Sequence, residues 1–346
     1  LKMEDIAKLA GVSKSAVSLA FSGKPGIGPD TRERILQIAR DNGYLPKPRT
    51  GTAERANKLL TFLVFANSGI VLEHYYQQPF FRELIHYIEE RCRMKGYSLM
   101  FSTVDLDNLE SDIKKVSDDR RCEGIILLGT NLDRSQIANI TGLLSLPLVV
   151  LDNCYDTLSV PFIEINNMMG AYQAGIHLYE LGHRSIGYIA SNVRIHNFEE
   201  RRRGFSYALS EKKLSVEDGC DFSVAPTILS SQKSLNQQLS ERINTGLPLP
   251  TAFFCECDYI AISAIKTLIE LGFRVPDDLS VVGFDNISES RIITPELTTV
   301  HVEKELMAQL AVDLIIQSIE SEDSVKTKIK VDTQLIPRLS TSHPTF

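Results

Sequence analysis

No stretch of this chain is apolar for long enough to span a bilayer, and no apolar signal segment opens it. Neither membrane insertion nor export is expected, and the cytoplasm is the expected compartment. Cysteine is sparse and scattered. Cys92, Cys122, Cys154, Cys220, Cys255 and Cys257 contain no C-x-x-C pair, and no histidine cluster stands beside them. That spacing argues against a metal site and for buried thiols in a reducing compartment. No G-x-G-x-x-G, P-loop, G-x-S-x-G or metal-ligand spacing falls where catalysis would need it. His177, His183 and His301 stand apart from one another. An enzyme, a resident cofactor and a metal are therefore not expected.

What is present divides unevenly. The 346 residues are 43% hydrophobic and 23% charged, the composition of a globular protein with room for two or three domains. Residues 1–58 hold eleven Lys and Arg against six Asp and Glu, a net of +5, whereas the whole chain is −7. A basic head on an acidic body confines attraction for phosphate to the head.

The head has the grammar of a helix-turn-helix. Ile6, Ala7, Leu9 and Ala10 recur at helical spacing, Gly11 supplies a turn tolerant of positive φ, and Ser13 can cap a second helix whose Val17 turns inward with Val12. A third helix is expected from Pro29 to Asp41, with Ile35, Leu36, Ile38 and Ala39 on its apolar face and Asn42-Gly43 ending it. Tyr44–Thr52, rich in Pro, Gly and Thr, reads as a linker. From residue 59, short apolar strands alternate with amphipathic helices, and the pattern restarts after Pro161. This predicts an α/β body of two doubly wound, parallel-sheet lobes, with a cleft at the carboxyl ends of the strands.

Several fragments in fixed order carry a resemblance. In the head they are Asp5-Ile6-Ala7, Ala10-Gly11-Val12-Ser13, Val17-Ser18, Thr31-Arg32-Glu33-Arg34-Ile35 and Gly43-Tyr44-Leu45-Pro46. In the body they are Gly124-Ile125-Ile126, Leu181-Gly182-His183-Arg184-Ser185-Ile186-Gly187, Arg201 with Gly204-Phe205, the run from Arg274 to Asn286, and Pro295-Glu296-Leu297-Thr298-Thr299-Val300. Over nearly its whole length the chain resembles the LacI/GalR family of bacterial transcription regulators. The resemblance implies a helix-turn-helix head over 1–46, a hinge over 47–58, and a periplasmic-binding-protein-like body over 59–346. Within the body it places lobe 1 near 59–161 and 291–320, and lobe 2 near 162–290 and 321–340. It implies a homodimer on a palindromic double-stranded operator, acting as a repressor switched by a small molecule between the lobes, with a sugar or sugar derivative as the best analogy. Two alternatives stay open: control by a partner protein, and a solute-binding protein without a DNA function.

Chemistry selects residues within that frame. Lys14 can donate to guanine, Ser15 can pair flexibly, and Ala16 can touch a thymine methyl. Ser13, Ser18, Thr31 and Asn42 suit phosphate oxygens. Leu19 stands where many relatives carry Arg and cannot hydrogen-bond a base, so it implies either a different operator code there or inward packing. In the linker, Ala53 occupies the position of a minor-groove wedge, for which it is small, and Pro48 and Gly51 weaken a hinge helix. Arg49 and Arg55 can reach phosphate or a narrow minor groove. For the effector, the resemblance carries over Arg201 as a guanidinium grip, Asp285 as an acceptor, Asp152 as an acid near the cleft at the end of a lobe 1 strand, Phe222 as a stacking aromatic, Phe80 and Phe81 as cleft aromatics, and Cys257 at a position where carbohydrate-sensing relatives carry Asn. A stretch around Gly69–Gln78, with Tyr75 and Tyr76, looks inserted beside the cleft.

Overall fold

The computed structural model describes residues 3–22, 26–42, 58–65, 70–71, 74–104, 108–321 and 325–345. The linker with Arg49, Ala53 and Arg55, and with it the hinge-helix question, lies outside these residues. The chain divides between Asn57 and Lys58 into two compact units.

The first unit is three helices: α1 (Met3–Leu9), α2 (Lys14–Ser22) and α3 (Pro29–Asp41). Ile6, Ala7, Ala10, Val17, Ala20, Ile35 and Ala39 form its core. Gly11 takes φ +62°, as the turn demands, and a Cβ there would meet nothing within 4 Å. Arg34 ties α3 back to the Ala10 carbonyl at 3.2 Å. Leu9, read from its spacing as part of the inward face, is instead 55% exposed. Helical periodicity over seven residues leaves a 100° step of ambiguity, and Ile6 with Ala10 sets the buried stripe.

The second unit holds two six-stranded sheets. The first is built from β1 (Leu59–Phe65), β2 (Ser98–Val104), β3 (Cys122–Leu128), β4 (Leu148–Leu151), β5 (Phe162–Ile165) and β11 (Lys328–Val331). Its order is β11-β5-β4-β3-β1-β2, parallel throughout. Helices α4 (Pro79–Met94), α5 (Leu109–Asp118), α6 (Arg134–Leu143) and α11 (Lys304–Glu320) go with this sheet. The second sheet comprises β6 (Ile186–Ser191), β7 (Asp221–Val224), β8 (Ala252–Cys255), β9 (Ser280–Asp285), β10 (Thr298–Val302) and β12 (Thr333–Ile336). Its order is β12-β10-β9-β8-β6-β7, with only β12 antiparallel. Helices α7 (Asn167–Glu180), α8 (His196–Glu211), α9 (Ile228–Asn244) and α10 (Asp258–Glu270) go with it.

The chain passes between lobes three times, between β5 and α7, between β10 and α11, and between β11 and β12. This corrects the lobe boundaries read from the sequence. Residues 162–165 and 328–331 pair into the first sheet, and 298–302 into the second. A short buried strand such as Phe162–Ile165 reads the same in either lobe; only its partners decide its sheet. Two of the crossings are bonded together. Asn166 Nδ2 donates to Asp332 Oδ1 at 2.8 Å, and Asn166 N to the Val331 carbonyl at 2.7 Å. The edge strand β7 had no sequence signal beyond two alternations. The helix after it starts four residues earlier than its apolar pattern suggests, because Thr227 caps it by accepting from Ser230 N.

Close packing is tightest where α7 meets α8. A Cβ on Gly204 would lie 2.1 Å from the Met168 carbonyl oxygen, so backbone would have to move. Next to it, Phe205 stacks on Phe254 with centroids 4.6 Å apart. Gly204→Ala is expected to cost about 3 kcal/mol, the upper end for overpacking. The midpoint of urea unfolding of the full chain checks this; a cost under about 1 kcal/mol would show that the α7–α8 contact yields freely.

Candidate functional site

In the head, Ser13 Oγ accepts from Ala16 N at 3.1 Å and so caps α2. Lys14 and Ser15 are exposed at the start of that helix, Ala16, Ser18 and Leu19 are half-buried, and Val17 and Ala20 turn inward. The pairs Lys14/Ser18 and Ser15/Leu19 are one helical turn apart, so they share a stripe. Leu19 keeps a methyl against Gly26: a Cβ there would sit 3.1 Å from Leu19 Cδ1. Thr31 is half-buried in the first turn of α3. Asn42 caps the end of α3, donating from Nδ2 to the Ile38 carbonyl at 2.8 Å.

In the body, the cleft lies between the lobes. Its lining includes Phe80, Phe81, Asp152, Arg201, Cys257 and Asp285, six of the seven effector positions expected from the sequence. The seventh, Phe222, is not there. It lies within β7, buried, with its ring edge-on to Phe253 at 5.9 Å. Pro226, beyond the end of that strand, reaches the cleft instead. The resemblance places an aromatic on the ligand at Phe222, but β7 is only four residues long and turns that side chain into its own lobe. Of the inserted stretch, Ile70 and Gln78 line the cleft. Tyr75 is buried against Phe81, and Tyr76 is 50% exposed.

Two cleft carboxylates end strands of opposite lobes in strained backbone. Asp152 follows β4 with φ +66°, and Asp285 closes β9 with φ +113°. Non-glycine residues in this region cost roughly 1–3 kcal/mol and cluster at functional sites. Arg201, 3% exposed, reaches Asp285 from α8. Its Nε donates to Asn167 Oδ1 at 2.8 Å, its Nη1 to the Glu256 carbonyl at 2.6 Å, and its Nη2 lies 2.9 Å from Asp285 Oδ1. The guanidinium also covers the Phe284 ring, 3.7 Å from its centroid. The lobes meet here. Asn197 Nδ2 donates to Asp152 Oδ1 at 2.9 Å, and Phe80 N donates to Tyr259 Oη at 3.2 Å. Lys304 spans the lobes too, with Nζ 3.2 Å from Glu83 and donating to the Asp285 carbonyl at 3.0 Å.

Sequence reasoning missed Thr130, Asn197, Phe198 and Tyr259 as cleft residues. A signal existed for two of them: Asn197 and Phe198 precede Arg201 by four and three positions, so they share its helix face.

Closure is tight. The cavity between the lobes measures only about 30 Å³. At ~10–15 Å³ per water, that holds about two waters. Buried side-chain oxygens without a hydrogen-bond partner include Gln78 Oε1 and Asn197 Oδ1, and both residues line the cleft. Such orphans are expensive unless something else supplies the donor.

Residues 2–47 match the family of bacterial regulatory proteins, lacI family, and residues 176–341 match the periplasmic binding protein-like domain. The ribose operon repressor of Haemophilus influenzae is 32% identical over 328 residues, 92% of each chain. The chain belongs to the LacI family. The HTH-type transcriptional repressor PurR of Mannheimia succiniciproducens is 29% identical across 98% of both chains. In solved structures, the fold is similar to the lac repressor dimer bound to operator and the anti-inducer ONPF, at TM-score 0.71 and 23% identity over 99% of each chain. It is equally similar to the transcriptional regulator CelR–cellobiose complex, at TM-score 0.71 and 23% identity over 98% and 99%. This LacI-family chain is a DNA-binding transcription regulator and not an enzyme. Among the described residues no helix is long and apolar enough to cross a membrane.

The cleft's chemistry makes closure depend on pH. Burial is the largest influence on Asp152. It pushes the carboxyl from 3.8 up to about 6, against the opposing pull of the Thr130 donor, the Arg201 charge and the Asn197 donor. The closed fold therefore prefers the protonated acid. The penalty on the charged form is absent below about pH 4, grows as pH rises to about 6, and is flat above, reaching on the order of 3 kcal/mol. Asp152→Asn removes that titration. The variant's stability relative to the parent is expected to be more favourable at pH 7.5 than at pH 4.5, as read by urea unfolding. An equal difference at both pH values would mean that Asp152 stays charged.

Proposed function

We propose that this chain is a homodimeric repressor that binds a palindromic operator through its heads, and that a neutral, polyhydroxylated small molecule in the cleft, a carbohydrate, sets its affinity for that operator. One observation carries the ligand class. The orphaned cleft atoms are acceptors, so the missing partner brings donors. A polyol brings several hydroxyls at once.

Charge narrows the class further. Asp152 and Asp285 face a single cleft guanidinium, Arg201, whose three nitrogens already lie on Asn167, the Glu256 carbonyl and Asp285. A phosphate dianion would find two carboxyls and an arginine committed to other acceptors. A neutral sugar finds acceptors for its hydroxyls and aromatic faces at Phe80, Phe198 and Tyr259 for its C–H face. Binding requires the lobes to part, since the present space holds water and little else. The ligand then biases the closure angle, a population shift in which about 1–3 kcal/mol of coupling changes operator affinity roughly five- to 150-fold. A repressor acting on DNA places the chain in the cytoplasm.

Thermal unfolding of the full chain against neutral sugars, sugar phosphates and nucleobases tests the ligand. A neutral sugar at about 100 times its Kd is expected to stabilise by about 2.7 kcal/mol, several degrees in Tm, while the corresponding phosphate does nothing. Asn197→Ala should abolish the shift. A response to phosphates or nucleobases alone would replace the carbohydrate, and silence to every small molecule would favour a protein partner.

Fluorescence anisotropy on an operator selected from random duplexes tests the head. Affinity should fall steeply with salt, and Lys14→Ala should weaken binding by about 1–3 kcal/mol while relaxing preference at one base pair. Salt-insensitive attachment, or a Lys14→Ala variant of unchanged sequence preference, would remove Lys14 from base readout.

A further inference from the structure

Residues 1–58 contain no histidine, so the head offers no side chain that ordinarily titrates near neutrality; all seven histidines belong to the body. One of them, His301, lies in β10 beside Asp285 of β9, just before the chain crosses to α11. Its Nδ1 is 2.9 Å from Asn286 Nδ2. The orientation of that amide is fixed from its other end, where Asn286 Oδ1 accepts from Arg338 Nη2 at 2.6 Å and from Ser290 Oγ at 3.2 Å. A guanidinium has donors only, so the amide oxygen must face it and the NH2 must face the imidazole. Nδ1 therefore accepts, and the ring is neutral with its proton on Nε2, which is 3.6 Å from Glu303 Oε2.

This bond fastens a strained turn to a lobe crossing. Asp285 and Asn286 take φ +113° and +48°. Lys304, the first residue of α11, donates to the Asp285 carbonyl and pairs with Glu83 of the first lobe. The turn that carries Asp285 to the cleft and the passage between lobes are thus tied at one place.

We propose that His301 is a proton sensor: a proton taken up at Nδ1 breaks the bond from Asn286, loosens the turn at 285–286 and shifts the lobe arrangement that sets operator affinity. A protonated Nδ1 points N–H at N–H. The amide cannot turn over in response, because its NH2 would then face Arg338. The proton is a second effector, separate from any small molecule in the cleft.

The surroundings set the sign. Burial is the largest influence on His301 and lowers it from 6.5; Glu303 and, from α4, Glu83 favour the charged ring, while Lys304 opposes it. Arg338 holds the partner amide, Asp285 runs alongside on β9, and Asp258 of α10 accepts from Thr299, two residues back along β10. β12 and the first ten residues of α7, which also pack on β10, bring no ionic side chain. The latched form binds the proton less readily than the released form. The latch is therefore intact above about pH 7 and weakens as pH falls through about 6.5, by up to about tenfold at pH 5.5. Asp152 works in the opposite direction, favouring closure in acid, so a substitution at His301 is needed to separate the two.

The test compares the full-length protein with His301→Asn, whose Oδ1 takes the place of Nδ1 and accepts at every pH. The side chain is half-buried and the acceptor is kept, so the variant should fold. Two quantities are read at pH 7.5 and 5.5 at constant ionic strength: amide hydrogen exchange over residues 283–292, corrected for the intrinsic effect of pH, and operator affinity by fluorescence anisotropy. At pH 7.5 the two proteins should agree within about twofold in both. At pH 5.5 the parent's turn should exchange about fivefold faster while the variant's stays protected, and their operator affinities should part by about threefold or more. Equal protection of the parent's turn at both pH values, an equal loss in both proteins, a difference already present at pH 7.5, or operator affinities that still agree at pH 5.5 would each overturn the sensor. None of these results bears on the sugar reading.

Discussion

A guanidinium withdrawn almost wholly from water must be met by acceptors, because an unpaired buried charge costs several kcal/mol. Arg201 meets three: a side-chain amide on α7, a backbone carbonyl after β8 and the carboxylate that ends β9. Those groups come from separate segments of the second lobe, so satisfying one cation fixes the relative positions of α7, α8, β8 and β9. Phe284 under the guanidinium closes the remaining face. The strained backbone at Asp285 is held by the same arrangement, and Lys304 extends it across the lobes by bonding the Asp285 carbonyl while pairing with Glu83.

A second cluster pushes buried carboxyls the other way. Asp258, at the start of α10, accepts from Thr299 Oγ1 at 2.5 Å and from Ile287 N at 2.9 Å, yet burial and then the neighbouring Asp285 charge raise it to about 8. Asp285 is raised as well, by burial first, although Arg201 and Lys304 pull it down. Glu256, buried with Arg194, Tyr188 and Ser191 N around it, is also raised by burial. Desolvation exceeds the local attraction at each. Asp258 and Glu256 are buried within the second lobe, and Asp285 opens from it onto the cleft. The three crossings, two of them bonded through Asn166 and Asp332, join the lobes.

Much of this was legible in the chain. The head followed from Gly11, Ser13 and the Pro29–Asn42 pattern, whose helix bounds the structure reproduces. Arg201, Asp152, Asp285, Phe80, Phe81 and Cys257 were reached by motif and by their place at strand or helix ends, and the fold brings them into one cleft. Phe222 failed because β7 is an edge strand of four residues with alternating exposure, which anchors no register. Tyr75 and Tyr76 look alike in sequence and part in space, one buried and one exposed.

Local composition and periodicity determined the elements and the basic head, because each depends on side chains a few positions apart, and the resemblance supplied six of the cleft residues. Tertiary structure alone decided which lobe owns β5, β10 and β11, that Pro226 replaces Phe222, and that Arg201 is spent on the protein's own acceptors. It also decided that Gln78 and Asn197 each keep an oxygen unpaired at the cleft. Those outcomes depend on pairings between segments as much as 166 residues apart, as between Asn166 and Asp332, where strand partnership and desolvation act and sequence spacing carries no record of either.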